Sequence, residues 1–85
     1  MTKNYTVVRQ DWLESERGWG CRPDGYSLHM TDEHRVRYIE EYWRSMPDSV
    51  PDEYSRPCGD PERFAVDKNT YDQVVASDKG IRCYR

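Results

Sequence analysis

Apolar and polar positions alternate with a period of two in some stretches of the chain and recur with a helical period in others. Residues 4–10 hold Tyr5, Thr6, Val7 and Val8, β-branched or aromatic residues without helical spacing, and predict a first strand. Asp11 can then cap, and Gly18 end, a helix of one or two turns over 12–17. Tyr26, Leu28 and Met30 alternate with Ser27 and His29, which predicts a half-buried strand entered through the turn signal Pro23-Asp24-Gly25. Phe64 and Val66 share one face of a third strand, and Ile81 and Cys83 alternate with Arg82 and Tyr84 in a terminal one.

The clearest helical signal spans 31–46. Thr31 caps it, Asp32 and Glu33 complement its positive N-terminus, and Pro47 stops it. Val36, Ile39, Trp43 and Met46 fall on one stripe, which makes this helix the expected hub of the core. Its other face pairs Glu33 with Arg37, Arg37 with Glu41 and Glu40 with Arg44 at a spacing of four, the pattern of a solvated face. A second helix is expected over 68–78, capped by Asp67 or Asn69 and ended by Gly80. Together these elements predict an α+β fold in one domain spanning 1–85. A short, mainly antiparallel sheet packs on the helix at 31–46, with the second helix near the C-terminus.

Between these signals lies 47–62, with Pro47, Pro51, Pro57 and Pro61. Proline lacks an amide donor and biases its predecessor toward extended backbone, so the segment reads as an irregular loop. The loop is also acidic: Asp48, Asp52, Glu53, Asp60 and Glu62 stand against Arg56 alone, while the flanking segments are nearly balanced or basic. The chain's net charge of −3 is therefore unevenly spread, and no concentrated Lys/Arg patch argues for direct nucleic-acid binding.

Composition changes the picture in two ways. With 35% hydrophobic and 34% charged residues, the 85-residue chain would tend toward disorder but for its eleven aromatic residues. Each ring can bury on the order of 150–250 Å². Trp12, Trp19, Trp43 and Phe64 are therefore candidates for a small aromatic core. No apolar run has the length of a signal peptide or membrane span, which predicts a soluble, cytoplasmic protein with no membrane partner. Cys21, Cys58 and Cys83, odd in number and without CxxC spacing, read as free thiols in a reducing compartment.

Candidate chemistry is sparse. Cys21, Cys58, Cys83, His29 and His34 contain the atoms of a zinc shell, the basis of an alternative reading as a metal-stabilised Cys/His interaction module, but the close pairs of structural zinc sites are missing. A small cysteine-dependent enzyme would use Cys21 beside Arg22 with His29 or His34 as base, although no local signature accompanies it. The glycines of "GWG" lack the spacing and the Lys-Ser/Thr of a phosphate loop. The sequence thus predicts no enzyme and no cofactor. A binding role has more support: prolines reduce the entropy lost on ordering a loop, so Asp48, Asp52, Glu53, Tyr54, Asp60 and Glu62 can form a preorganised acidic surface, with Trp19 as a second aromatic contact. The competing reading is a plain connector with Tyr54 packed inward. Trp19, Tyr26 and Tyr54 could also supply a homodimer surface.

Over "GWGCRPDGYSLHM" and "YIEEYWRSMPDSVPDEYSRP" the chain resembles small proteins encoded by bacteriophages and prophages, a loose class that includes anti-CRISPR proteins and other inhibitors of host defence. The resemblance implies a protein that acts stoichiometrically in the bacterial cytoplasm. It would bind and inhibit a host protein, such as a CRISPR-Cas effector, by covering a functional surface, which could be one that binds nucleic acid. It transfers no role to any individual residue.

Overall fold

The computed structural model describes residues 5–16, 20–46 and 53–83. In chain order the elements are β1 (Tyr5–Glu16), β2 (Gly20–His29), α1 (Asp32–Ser45), β3 (Glu53–Val66), α2 (Lys68–Ala76) and β4 (Ile81–Cys83). The strands form one antiparallel sheet in the order β3-β1-β2-β4, an α+β fold as the sequence predicts.

Each face of the sheet carries one helix, because successive side chains of a strand point to opposite faces. On one face Val7, Leu28 and Val74 are buried, with Tyr26, Phe64, Tyr71 and Ile81 packed against them, so α2 covers this side. Register agrees: Val7 opposes Phe64, and Leu28 opposes Ile81. Arg9 lies over the rings of Tyr26 and Phe64 at 4.2 and 4.7 Å and pairs with Asp11 at 2.9 Å, extending the cover beyond the helix. On the other face Gln10, Trp12, Ser27 and His29 lie beneath α1, whose Tyr38 and Tyr42 meet the edge of the Trp12 indole. The strand at 26–30 is therefore not half-buried, as its alternation predicts. A helix covers its polar face too, so Ser27 and His29 are fully enclosed.

The helix boundaries follow the capping chemistry. The Thr31 hydroxyl accepts from the amide of His34 at 3.1 Å, and the Asp67 carboxylate accepts from that of Thr70 at 2.7 Å. The bonds from Thr70 hold the Asp67 carboxyl below its usual range.

Four further expectations need correction. The helix over 12–17 does not form: β1 runs to Glu16, paired on both sides, because burying Trp12 against α1 outweighs a weak local cap. Pro23-Asp24-Gly25 is not a turn between elements but an irregularity inside β2. There the register shifts opposite Asp11–Leu13, and Gly25 takes the positive φ of 75° that a bulge demands. The irregular loop at 47–62 is strand from Glu53 onward, whereas residues 47–52 lie outside the described residues. The reason is position: β3 is an edge strand, where proline can be tolerated because an amide on the free side has no ladder partner to lose. Two extra residues of β3 bulge out between the pairs Arg9–Glu62 and Asp11–Cys58, with Gly59 at a φ of 75°.

The fourth correction concerns α1. Its buried side is not the stripe of Val36, Ile39, Trp43 and Met46 but the side carrying Arg35, Tyr38 and Tyr42, and none of its residues is fully buried. At about 100° per residue, Val36, Ile39 and Trp43 lie roughly a quarter turn away. Val36 and Trp43 remain 40% and 41% exposed.

Candidate partner-binding face

Beneath α1 a chain of hydrogen bonds crosses the sheet. Trp12 Nε1 donates to Ser27 Oγ at 2.8 Å, Ser27 Oγ lies 2.7 Å from His29 Nε2, and His29 Nδ1 lies 2.8 Å from the carbonyl of Lys79. A carbonyl can only accept, so the His29 proton sits on Nδ1 and the Ser27 hydroxyl donates to Nε2. Burial disfavours the charged imidazolium and holds His29 below its usual pKa, partly opposed by the bond to Lys79. The polarity is that of a serine nucleophile with a histidine base. Both residues are sealed from solvent, however, and no substrate reaches Ser27, so the chain acts as internal scaffolding.

Two further polar links tie α1 and the outer strands to the sheet. Gln10 donates from Nε2 to the carbonyls of Asp11, Cys58 and Gly59, inside the β3 bulge, and its Oε1 accepts from Arg35 at 2.9 Å. Asp24 accepts from Arg82 at 2.8 Å and from the hydroxyl of Ser55, while the Arg82 guanidinium lies 4.4 Å from the Trp12 ring centroid. Sequence reasoning missed this layer. Its signal was present only as Gln10, Trp12 and Ser27 at polar-or-large strand positions, which do not reveal a helix above them.

The histidines and cysteines do not converge. Both ring nitrogens of His29 are engaged, Cys83 packs with the core on the α2 face, and exposed Cys21 lies opposite Ser15 near the far end of β1. Among the described residues no group of three or more His, Cys, Asp or Glu is arranged to hold a metal ion. Cys21 has the Arg56 guanidinium at 3.4 Å, yet His29 lies at the opposite end of β2, so no Cys21–His29 pair forms.

The predicted contact residues divide into two groups. Trp19, Asp48 and Asp52 lie outside the described residues, as does the side chain of Glu53, whose backbone begins β3. Tyr54, Asp60 and Glu62 are on β3: Tyr54 is half-buried with its ring 6.3 Å from that of Trp43, and the two acids are exposed. Along this side α1 runs antiparallel to β3. The cap Thr31 and the first helical residue Asp32 share a groove of about 420 Å³ with Thr6, Val8, Pro61, Glu62 and Arg63, while the C-terminal Trp43 reaches Tyr54. The opposite flank of the helix is held by Glu41, paired with Lys79 at 2.7 Å. Val36 and Trp43 are thus left part-exposed, Trp43 beside Tyr54, while the register puts Glu62, opposite Arg9, on the α2 face and Arg63, opposite Val8, on the α1 face.

The β3 edge is itself closed to further pairing near this stripe. The Tyr42 hydroxyl accepts from the Ser55 amide at 3.1 Å and donates to the Ser55 carbonyl, and burial raises the phenol's pKa. Comparison with protein-family models, with curated proteins and with solved structures finds no match. Among the described residues no helix is long and apolar enough to cross a membrane.

Proposed function

We propose that this chain is a non-catalytic binding protein that inhibits a bacterial protein by covering a functional surface, with the flank of α1 and the edge of β3 as its contact face. The observation that carries the reading is the placement of Trp43 and Val36. Both are large apolar residues of a helix that packs on its sheet through other residues, and both are left about two-fifths exposed, Trp43 beside Tyr54. Aromatic anchors ringed by polar residues are the usual composition of an interface centre and its rim. Exposed Asp60 and Glu62 suit a partner surface rich in Lys and Arg, such as a channel that holds a phosphate backbone. CRISPR-Cas effectors have such channels and are the partner class to test first, consistent with the resemblance to phage-encoded inhibitors.

The test is a titration of a panel of purified nucleic-acid-binding defence effectors with the protein. Inhibition that saturates at a fixed stoichiometry, weakens with added salt and is lost in Trp43→Ala supports the proposal. Inhibition at far below one equivalent, or no complex with any panel member, overturns it.

A further inference from the structure

We infer that residues 79–83, the end of the connector from α2 together with β4, form an acid-sensitive latch: they lift off β2 as a unit when His29 takes up a proton, while α1, α2 and the three long strands stay folded. The device is separate from the contact face, and neither depends on the other.

The segment covers both nitrogens of one buried ring. The Lys79 carbonyl lies 2.8 Å from His29 Nδ1, and Gly80 stands so close to the ring that no side chain fits between them. Arg82 opposes Ser27 in register, so its side chain leaves the sheet on the face of Ser27 and Trp12, where its guanidinium lies over the indole. Ser27 Oγ is the atom that meets His29 Nε2, at 2.7 Å. The remaining cover is Tyr38 of α1, whose ring meets that of His29 edge-on at 5.0 Å. Water that brings a proton to the ring must therefore displace either α1 or 79–83. The segment is the weaker cover: β4 has three residues, all part-exposed, at the edge of the sheet, whereas α1 is held by Tyr38 and Tyr42 on Trp12 and by the Tyr42 hydroxyl on Ser55. Short elements with little buried surface are the ones that open locally.

The closed state has no place for the proton. Ser27 Oγ already accepts from Trp12 Nε1, so an imidazolium would make it accept twice and leave the serine hydrogen without an acceptor among the described residues. Charge opposes the proton as well. α1 sets Arg35 and His34 against a charge on the ring, with Asp32 in its favour. β4 adds Arg82, matched by Asp24, and the connector adds Lys79, matched by Glu41 and Asp78. β1 brings no ionisable group opposite His29, whose partner there is Val8. At neutral pH the Arg82–Asp24 and Lys79–Glu41 pairs hold the segment shut. Lifting it admits water to the ring and takes two cations away, so the open form accepts the proton that the closed form refuses, and acid shifts the equilibrium toward opening.

The experiment is amide hydrogen exchange on the intact protein between pH 7.5 and 5, corrected for the intrinsic pH dependence of exchange. It compares wild type with His29→Gln and with His34→Gln, a control at the chain's other histidine. In wild type the β4 amides should be less protected than those of Val8 and Arg9 in the middle of the sheet. Their protection should fall about tenfold per pH unit below about 6.5, the ordinary histidine pKa, and their opening should respond little to dilute urea. The decline should persist in His34→Gln and vanish in His29→Gln. Protection of β4 equal to that of β1 at every pH overturns the latch, as does a β4 opening that ignores pH or a decline that survives in His29→Gln. Should His29→Gln fail to fold, urea decides on wild type: a pH-dependent opening of β4 as steep in urea as global unfolding overturns the latch, and a shallow one supports it.

Discussion

Trp12 and Ser27, on neighbouring strands, are joined by a hydrogen bond from the indole Nε1 to the serine hydroxyl, and neither is reached by solvent. That single oxygen links the largest buried side chain of the α1 face to His29, which in turn holds the carbonyl of Lys79 just before β4. Ser27→Ala removes the oxygen and leaves two buried groups unsatisfied, the indole N–H and His29 Nε2. Each orphaned group costs about 1–3 kcal/mol, so the variant should lose roughly 2–6 kcal/mol in urea unfolding. A loss within a few tenths of wild type would mean that the chain of bonds is not coupled to folding.

His29 makes stability depend on pH in a defined direction. Its folded pKa lies below the ordinary value of about 6.5 because burial disfavours the imidazolium, so below pH 6.5 the unfolded chain takes up a proton that the folded one refuses. Stability from this group is complete above about 6.5 and falls as pH drops, by up to about 1.4 kcal/mol per unit, until the folded pKa is reached. Unfolding free energies measured between pH 7.5 and 5 should show this decline, and His29→Gln should flatten it. A slope unchanged by the substitution would assign the pH dependence to other groups.

What was legible in the sequence follows from how local each signal is. The helix at α1 could be read because Thr31, Asp32, Glu33 and Pro47 mark its ends by short-range chemistry. Its packing side could not: Val36 and Trp43 are more apolar than Tyr38 and Tyr42, yet the tyrosines pack on Trp12 because their hydroxyl-bearing rings suit a polar layer. The same limit hid β3. Proline at 57 and 61 excludes a central strand but not an edge strand, and edge position is a property of the whole sheet. Among the candidate contact residues, Tyr54 was singled out from composition, whereas its place beside Trp43 of α1 depends on the fold.

Gly80 occupies a place that other residues cannot take. Its φ is +152°, and a Cβ there would come within 2.6 Å of the carbonyl oxygen of Leu28 and collide with the His29 ring. Gly80→Ala should therefore push the chain away from β2, break the bond between His29 and Lys79, and loosen β4. The expected cost is about 3 kcal/mol, from strained backbone and forced displacement together. Amide exchange at Ile81–Cys83 should accelerate in the variant; protection equal to wild type would show that β4 docks without the close approach.

Pro57 gives the last prediction. Ser55 turns its amide and carbonyl to Tyr42 rather than to β1, and residues two apart on a strand present their backbone groups the same way. The amide that Pro57 lacks would therefore face the free side of β3. Pro57→Thr restores that donor without removing any bond within the sheet, and a β-branched residue suits a strand, so unfolding free energy should change by no more than about 1 kcal/mol. The variant edge then carries a continuous donor and acceptor pair beside Arg56 and Cys58, a template for pairing with another chain. Sedimentation at two concentrations should show a greater rise of apparent mass with concentration in Pro57→Thr than in wild type. Equal behaviour of the two proteins would mean that the bulge at Gly59 and the Tyr42 hydroxyl close the edge without help, and that the proline is dispensable for that purpose.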